Sequence, residues 1–360
     1  MLDRIREQEE AKRLLQAALR DGPAHAYLLH GPPGVGKTSA GLAFAGELLG
    51  DSDRAERRAH PDLYVLEPLG DQIRIDDIRL LHHDLHMRPF EADRRVYVVL
   101  SAHLLNEDAA DALLKDLEEP PPYAVLLLVA DELGPLPETI RSRCQPVPFR
   151  RLSERAVREE VAARAPALSE EETTALARVA SGRLDRVERL LDPKAAERRT
   201  GLLAVARSVY ADADFRPSAA ADFVTGAASD SGAQAKALAE AALERLDLPT
   251  REGEQRVRRA QRGAEREELL LMLEELAAWY RDLAVVGAGA DGAAVHCDHL
   301  DELREDATPE RMPSAERAAE LVRETWRSLE EFNIQAGLAF EALFIQLRRV
   351  FASTTQWVAA

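Results

Sequence analysis

Gly31-Pro-Pro-Gly-Val-Gly-Lys-Thr38 is the stretch on which the fold turns. It has the spacing G-x-x-x-x-G-K-[ST], follows the apolar run Ala26 to Leu29 and opens the Ala-rich stretch Thr38 to Leu49. A strand, then this loop, then a helix is the setting in which that spacing holds phosphate. The glycines permit a tight loop whose N–H groups turn inward around phosphate oxygens, and the helix behind it adds the positive end of its dipole. Gly31, Pro32, Pro33, Gly34, Val35, Gly36, Lys37 and Thr38 are therefore the expected nucleotide cradle. Lys37 would reach the β- and γ-phosphates and the Thr38 hydroxyl a Mg²⁺ ion, which makes ATP with Mg²⁺ the expected ligand.

Working outward, three more apolar runs, Leu63 to Leu66, Val96 to Leu100 and Val125 to Ala130, alternate with the helical patterns Glu7 to Leu19, Ile75 to Met87 and Glu107 to Leu117. Continuous rather than alternating apolar runs mark strands buried on both faces, so residues 1–150 read as an α/β P-loop domain with a parallel sheet. From Leu152 the period is helical only. Ser153 reads as an N-cap for Glu154 to Arg164, and Ser169-Glu-Glu-Glu172 as a capping box for the next helix. A small helical domain over 151–194 and an all-helical domain over 195–351 follow, the latter interrupted by turn-rich stretches at Ala211 to Gly232 and Val286 to Gly292, with a frayed tail at 352–360. A chain of 360 residues exceeds the size at which single cores stop growing, about 250–300 residues, in keeping with several domains.

The charge balance narrows the function. With 47 basic and 64 acidic residues the net charge is −17, and residues 1–150 and 151–360 are each acidic. A protein that grips nucleic acid through many phosphates concentrates Lys and Arg on its surface, so contact with DNA is expected to run through partners. The two cysteines, Cys144 and Cys297, stand too far apart in sequence for a four-cysteine zinc site or a disulfide framework, which suits a reducing cytosol. No segment approaches the ~18 apolar residues of a membrane span, and a cytoplasmic protein is expected.

Splitting ATP asks for more than a cradle. A second strand should end in acidic residues that complete the Mg²⁺ shell and direct the attacking water. The run Arg95 to Leu100 ends instead in Leu100 and Ser101, neither of which carries charge. His103 lies beyond the run and is a poor substitute base. The expectation is a site that holds ATP without turning it over.

Several strings then resemble one family, the AAA+ clamp-loader subunits of bacterial DNA polymerase III. Leu2-Asp-Arg-Ile-Arg-Glu-Gln-Glu-Glu-Ala11 is similar to that family's opening segment beside the adenine, and His25 to Thr38 to its P-loop segment. His60-Pro-Asp-Leu63 and Ile73-Arg-Ile-Asp-Asp-Ile78 are similar to stretches that follow the loop. Asn106 to Pro121, NEDAADALLKDLEEPP, is close to a family signature, and Thr139-Ile-Arg-Ser-Arg-Cys-Gln145 matches its TIRSRCQ string. The resemblance implies an AAA+ domain, a helical lid over 151–194 and a helical collar over 195–351. It implies assembly with delta and gamma/tau subunits into a hetero-pentamer that sets a sliding clamp on primed DNA. It also implies that Arg143 is an arginine finger supplied in trans, where a planar, permanently charged guanidinium spreads its donors over γ-phosphate charge. Read without the family, Arg141 and Arg143 are solvated loop charges.

Departures carry information too. Gly50 to Ala59 occupies the place of a four-cysteine zinc module found in many relatives and contains no cysteine, so no zinc is expected. The missing acids at Leu100 and Ser101, and Ala130 and Asp131 where active relatives carry a polar sensor, fit a stationary subunit better than a motor, although a gamma/tau-type or other self-sufficient ATPase stays the alternative. Gly182-Arg-Leu-Asp-Arg-Val187 is similar to a second sensor segment, which would bring Arg186 to the phosphates; a solvated helical arginine fits the residues equally. Trp279 to Asp282 and Asn333 to Leu343 resemble collar helices. His296-Cys-Asp-His299 invites a metal reading, but a short loop explains it as well, and no metal is assigned. The basic run Arg251 to Arg266 mixes both charge signs without aromatics and reads as a solvated helix face.

Overall fold

The computed structural model describes residues 2, 5–68, 72–243, 250–331 and 334–355. Asp3 and Arg4 of the opening segment, Asn333, and residues 356–360 of the tail lie outside the described residues. The chain packs as two units, Met1–Glu160 with Gly182–Arg186, and Val161–Ser181 with Val187–Ala360. The segment 151–194 is thus divided between the two. Among the described residues no helix is long and apolar enough to cross a membrane.

In chain order the first unit runs α1 (Glu9–Asp21), β1 (Ala26–His30), α2 (Lys37–Leu49), α3 (Ser52–Glu56), β2 (Leu63–Leu66), α4 (Ile75–Leu85), β3 (Arg95–Val99), α5 (Glu107–Glu118), β4 (Ala124–Ala130), α6 (Glu138–Arg141) and β5 (Gln145–Pro148). The strands form one sheet in the order β2-β3-β4-β1-β5, and every pair is parallel. β3 and β4 are buried along their whole length, which is why they read as unbroken apolar runs. Their side chains divide by pleat. Leu126, Leu128, Tyr97 and Val99 pack with Ile78, Leu81, Leu113 and Leu117 of α4 and α5, while Val125, Leu127, Val96 and Val98 pack with Leu15, Ala40 and Phe44 of α1 and α2. β5 went unread because Gln145-Pro-Val-Pro148 carries two prolines; it is an edge strand, where a missing N–H is tolerated.

Helix α1 starts at Glu9 rather than at the expected Glu7. Glu7 and Gln8 are left-handed, with φ of 57° and 34°. Their side chains are used elsewhere: Glu7 accepts from the Ser153 N–H and hydroxyl, and Gln8 bonds both backbone groups of Arg150. The opening segment is thereby tied to the chain after β5.

The family-like strings between the loop and β3 are structural. Asp62 is fully buried and accepts from the N–H groups of Phe90, Glu91 and Ala92 at 2.6, 2.9 and 2.9 Å. Burial alone would raise its pKa, but the three donors outweigh that and hold it below the ordinary value. Such a group stabilises the fold above its unfolded pKa, and the contribution fades as pH falls through the folded value. Asp62→Asn keeps the shape but loses the charge, and we expect it to cost about 2–4 kcal/mol, the scale of one or two charge-assisted hydrogen bonds. Urea unfolding at neutral pH checks this: unchanged stability would show that the three bonds contribute nothing net.

The second unit is helical: α7 (Glu154–Arg164) enters it, followed by α8 (Glu170–Ala180), α9 (Leu184–Leu191), α10 (Pro193–Ala211), α11 (Pro217–Leu243), α12 (Thr250–Gly287), α13 (Leu300–Asp306), α14 (Met312–Glu331) and α15 (Ala336–Thr355). Its core gathers Leu202, Val224, Leu276, Trp279, Tyr280, Val322, Phe340 and Phe344. The expected turn-rich interruption at Ala211 to Gly232 is corrected: only Asp212 to Arg216 leave the helical path, and α11 is continuous through Gly226 and Gly232. The reason is packing. A Cβ on Gly232 would stand 2.4 Å from Cγ of Glu265, so glycine there lets α11 and α12 approach closely rather than turn.

Candidate nucleotide site

The loop Gly31–Gly36 joins the C-terminal end of β1 to the N-terminus of α2, with β4 and β5 on either side of β1. Gly31, Gly34 and Gly36 have φ of 141°, 69° and 93°, values that only glycine adopts without strain. Gly31 is also crowded, since a Cβ there would lie 2.2 Å from the Phe149 carbonyl oxygen. The loop therefore has the backbone conformation a phosphate cradle needs, and the 13-residue α2 points its positive end into it.

Lys37 is 4% exposed, and all three of its donors are already used. Nζ donates to the Gly31 and Pro32 carbonyls and stands 2.7 Å from Oδ1 of Asp131. Burial pushes the Lys37 ammonium below its ordinary pKa, and Asp131 draws it part of the way back. A phosphate can reach this ammonium only by displacing one of the three partners. Asp131, the one side chain among the three and 36% exposed, is the partner that can leave.

A second acid touches the loop. Leu184 N–H donates to Gly34 O at 2.6 Å, and a Cβ on Gly34 would collide with Oδ1 of Asp185. Asp185 is held by the guanidinium of buried Arg183, whose Nη2 donates to Oδ2 at 2.6 Å. Burial would raise the Asp185 pKa, but Arg183 and Arg186 keep it low. The stretch Gly182–Arg186 is thus brought to the loop, with Arg186 buried beside Asp185. Sequence reasoning named Arg186, noted Asp131 only as a departure at a sensor position, and gave Asp185 no role. Asp131 was visible as the residue directly after the β4 run, but its closeness to Lys37 follows from β4 lying beside β1, which the sequence does not state.

At the end of β3, Leu100 is buried in the core and Ser101 turns left-handed with φ 50°. No acid stands at those two positions. His103 is also accounted for: its Nδ1 accepts the Asp131 N–H at 3.2 Å, and burial lowers its pKa against the pull of Asp131 and Glu132. It supports the Asp131 backbone.

Arg143 lies at the other end of the sheet. The parallel register sets Tyr27 opposite Gln145 and His30 opposite Pro148, so Arg143 precedes the strand start while the loop follows the strand end. Strand rise puts about 13 Å between those ends. Arg143 donates to Glu118 at 2.5 Å and to the Thr139 carbonyl at 2.9 Å, and is partly exposed. Cys144 beside it is buried and its thiol is pushed up to about 12, which leaves it a packing residue. Asn106 caps α5 through the Ala109 N–H, and Ala109, Ala110, Leu113 and Leu117 pack in the core, so the NEDAADALLKDLEEPP string builds the helix that carries Glu118. In the second unit His296 is held by Asp282 and Glu275, at 2.9 and 3.2 Å, which occupies both ring nitrogens.

The model of the family described as "DNA polymerase III, delta subunit" matches residues 7–153, which contain the loop, the NEDAADALLKDLEEPP string and the TIRSRCQ string. DNA polymerase III subunit delta′ of Bacillus subtilis is 32% identical over 41% of this chain and 48% of its own length. The delta′ subunit of Pseudomonas aeruginosa is 38% identical over 34% of this chain and 42% of its own. The tau subunit of Bacillus subtilis is 30% identical over 43% of this chain and 30% of its own. The chain thus spans less than half the length of these relatives. Over its P-loop domain, the chain is similar to the delta′ and tau subunits of bacterial DNA polymerase III.

Proposed function

We propose that this chain is a non-motor, delta′-like subunit of a DNA polymerase III clamp loader, which binds ATP weakly or as a structural ligand and lends Arg143 to the nucleotide site of a neighbouring subunit. The observation that carries this reading is the placement of a complete phosphate loop at one end of the sheet and a partly exposed arginine at the other. An arginine that far from its own loop cannot serve it, whereas head-to-tail packing of like domains sets one subunit's arginine against the next subunit's loop. Delta and gamma/tau subunits are the proposed partners, with a sliding clamp as the object loaded and primed DNA reached mainly through the assembly. The net charge of −17 supports contact with DNA at second hand. Gly31 to Thr38 would hold the triphosphate and Thr38 the Mg²⁺, with Arg186 close by. The segment 151–194 is proposed as the lid and 195–351 as the collar.

Asp131 also favours a second reading. A carboxylate at the P-loop lysine is either an internal anion that competes with phosphate or, once displaced, an acid directing water in a self-sufficient ATPase. Asp131→Asn separates the two. As a competitor, its loss frees one Lys37 donor, and we expect nucleotide affinity to rise roughly 10-fold, about 1.4 kcal/mol, with no phosphate release before or after. Isothermal titration and a phosphate-release assay on the isolated chain measure both. Steady turnover by the wild-type chain that disappears in Asp131→Asn would establish the ATPase reading instead.

A further inference from the structure

We propose that His82, His86 and Asp116 form a binding site for a divalent first-row transition ion, of the Zn²⁺ class, that clamps α4 to α5. His82 is in the last turn of α4 and His86 caps that helix, four residues on, so both rings leave the same side. Their ring centroids are 4.6 Å apart. Asp116 comes from α5 across the interhelix contact, and one ligand atom from each of the three residues lies within 4.8 Å of the others. Four-coordinate ligands at 2.0–2.2 Å from an ion stand about 3.4 Å apart, so closing the set asks for shifts of about 1 Å. His82 and His86 are exposed and have the freedom to make them.

Asp116 supplies the independent observation. It is 2% exposed, Oδ1 meets His82 Nδ1 at 2.6 Å, and Oδ2 is buried with no hydrogen-bond partner among the described residues. A buried carboxylate oxygen without a partner is costly in an acidic chain unless something positive meets it. Two imidazoles and one carboxylate suit Zn²⁺, Co²⁺ or Ni²⁺ rather than Mg²⁺ or Ca²⁺. The sequence expectation was of no zinc and no metal site, argued for zinc from the missing cysteine module at Gly50 to Ala59; a site built from two histidines and an aspartate departs from it.

The full chain, freed of metal with a chelator, is titrated with Zn²⁺ alone and in parallel with Co²⁺ alone. We expect one equivalent of saturable Zn²⁺ binding in the micromolar range or tighter, the visible absorption of four-coordinate Co²⁺, and a rise in unfolding midpoint of roughly 3–8 °C at saturation. His86→Ala changes an exposed side chain and should weaken binding at least ~10-fold while leaving the metal-free midpoint unchanged. Asp116→Asn should weaken it as much. No saturable binding up to about 100 µM, or an affinity untouched by His86→Ala, would overturn the site.

Discussion

Arg143→Ala is expected to reduce ATP turnover by roughly 10³–10⁵-fold at the neighbouring site of a reconstituted assembly, the range over which arginine fingers act in phosphoryl transfer. The expectation rests on where the guanidinium sits. It is on the turn after α6, ahead of β5, about 13 Å along the strands from its own loop. Glu118 and the Thr139 carbonyl hold it in place without burying it. A pair this exposed adds little stability, so its use is to hold the side chain in one direction. The assembly should form normally with Arg143→Ala, and nucleotide binding by this chain alone should be unaffected. Arg143→Lys should recover little, because an ammonium cannot offer the planar fork that meets two phosphate oxygens. Single-turnover ATPase rates, measured with assembly verified by size exclusion, test all three. Undiminished turnover in an intact Arg143→Ala assembly would remove the finger assignment and with it the main support for the non-motor reading.

How much of this was legible beforehand differs by the range of the contact. The parallel sheet was readable because β3 and β4 are buried on both faces and carry nothing but apolar residues at the interior positions. Local chemistry was readable too. Ser169 and Glu172 form the expected reciprocal capping box, Ser169 Oγ accepts from the Glu172 N–H, and the loop glycines take the φ values the motif needs. Composition misled where glycine serves packing: Gly232 looked like a turn and instead lets Glu265 lie against α11. What could not be read was proximity between distant segments. Asp131 reaches Lys37 through sheet order, Asp185 reaches Gly34 through the return of Gly182–Arg186, and Asp116 reaches His82 because α4 and α5 share one face of the sheet. In each case a short acidic residue that reads as surface in one dimension meets a distant segment in three.

The second large effect is expected in the helical unit, where His296→Ala should cost about 3–5 kcal/mol, the scale for leaving a buried charge without its partner. His296 and Asp282 are both fully buried. Asp282 Oδ2 accepts from the Val295 and His296 N–H groups, each at 2.8 Å, and from the His296 ring at 2.9 Å, while the other ring nitrogen meets Glu275. Trp279 packs edge-on against the imidazole, and Arg199 ties Glu275 to Asp298 behind it. Burial alone would lower the His296 pKa; Asp282 and Glu275 override it and raise the value despite the repulsion of Arg199. A group whose pKa rises on folding contributes fully below its unfolded value, about 6.5, and loses that contribution as pH climbs through the folded value. The wild-type unit should therefore weaken as pH is raised above about 6.5, and His296→Ala should be less stable at pH 6 with that part of the alkaline slope gone. The tryptophans fall at position 279 and beyond, so fluorescence-detected urea unfolding follows this unit. A His296→Ala profile running parallel to wild type across that range would mean the imidazole is neutral in the fold, and the acids around it would then need another source of positive charge.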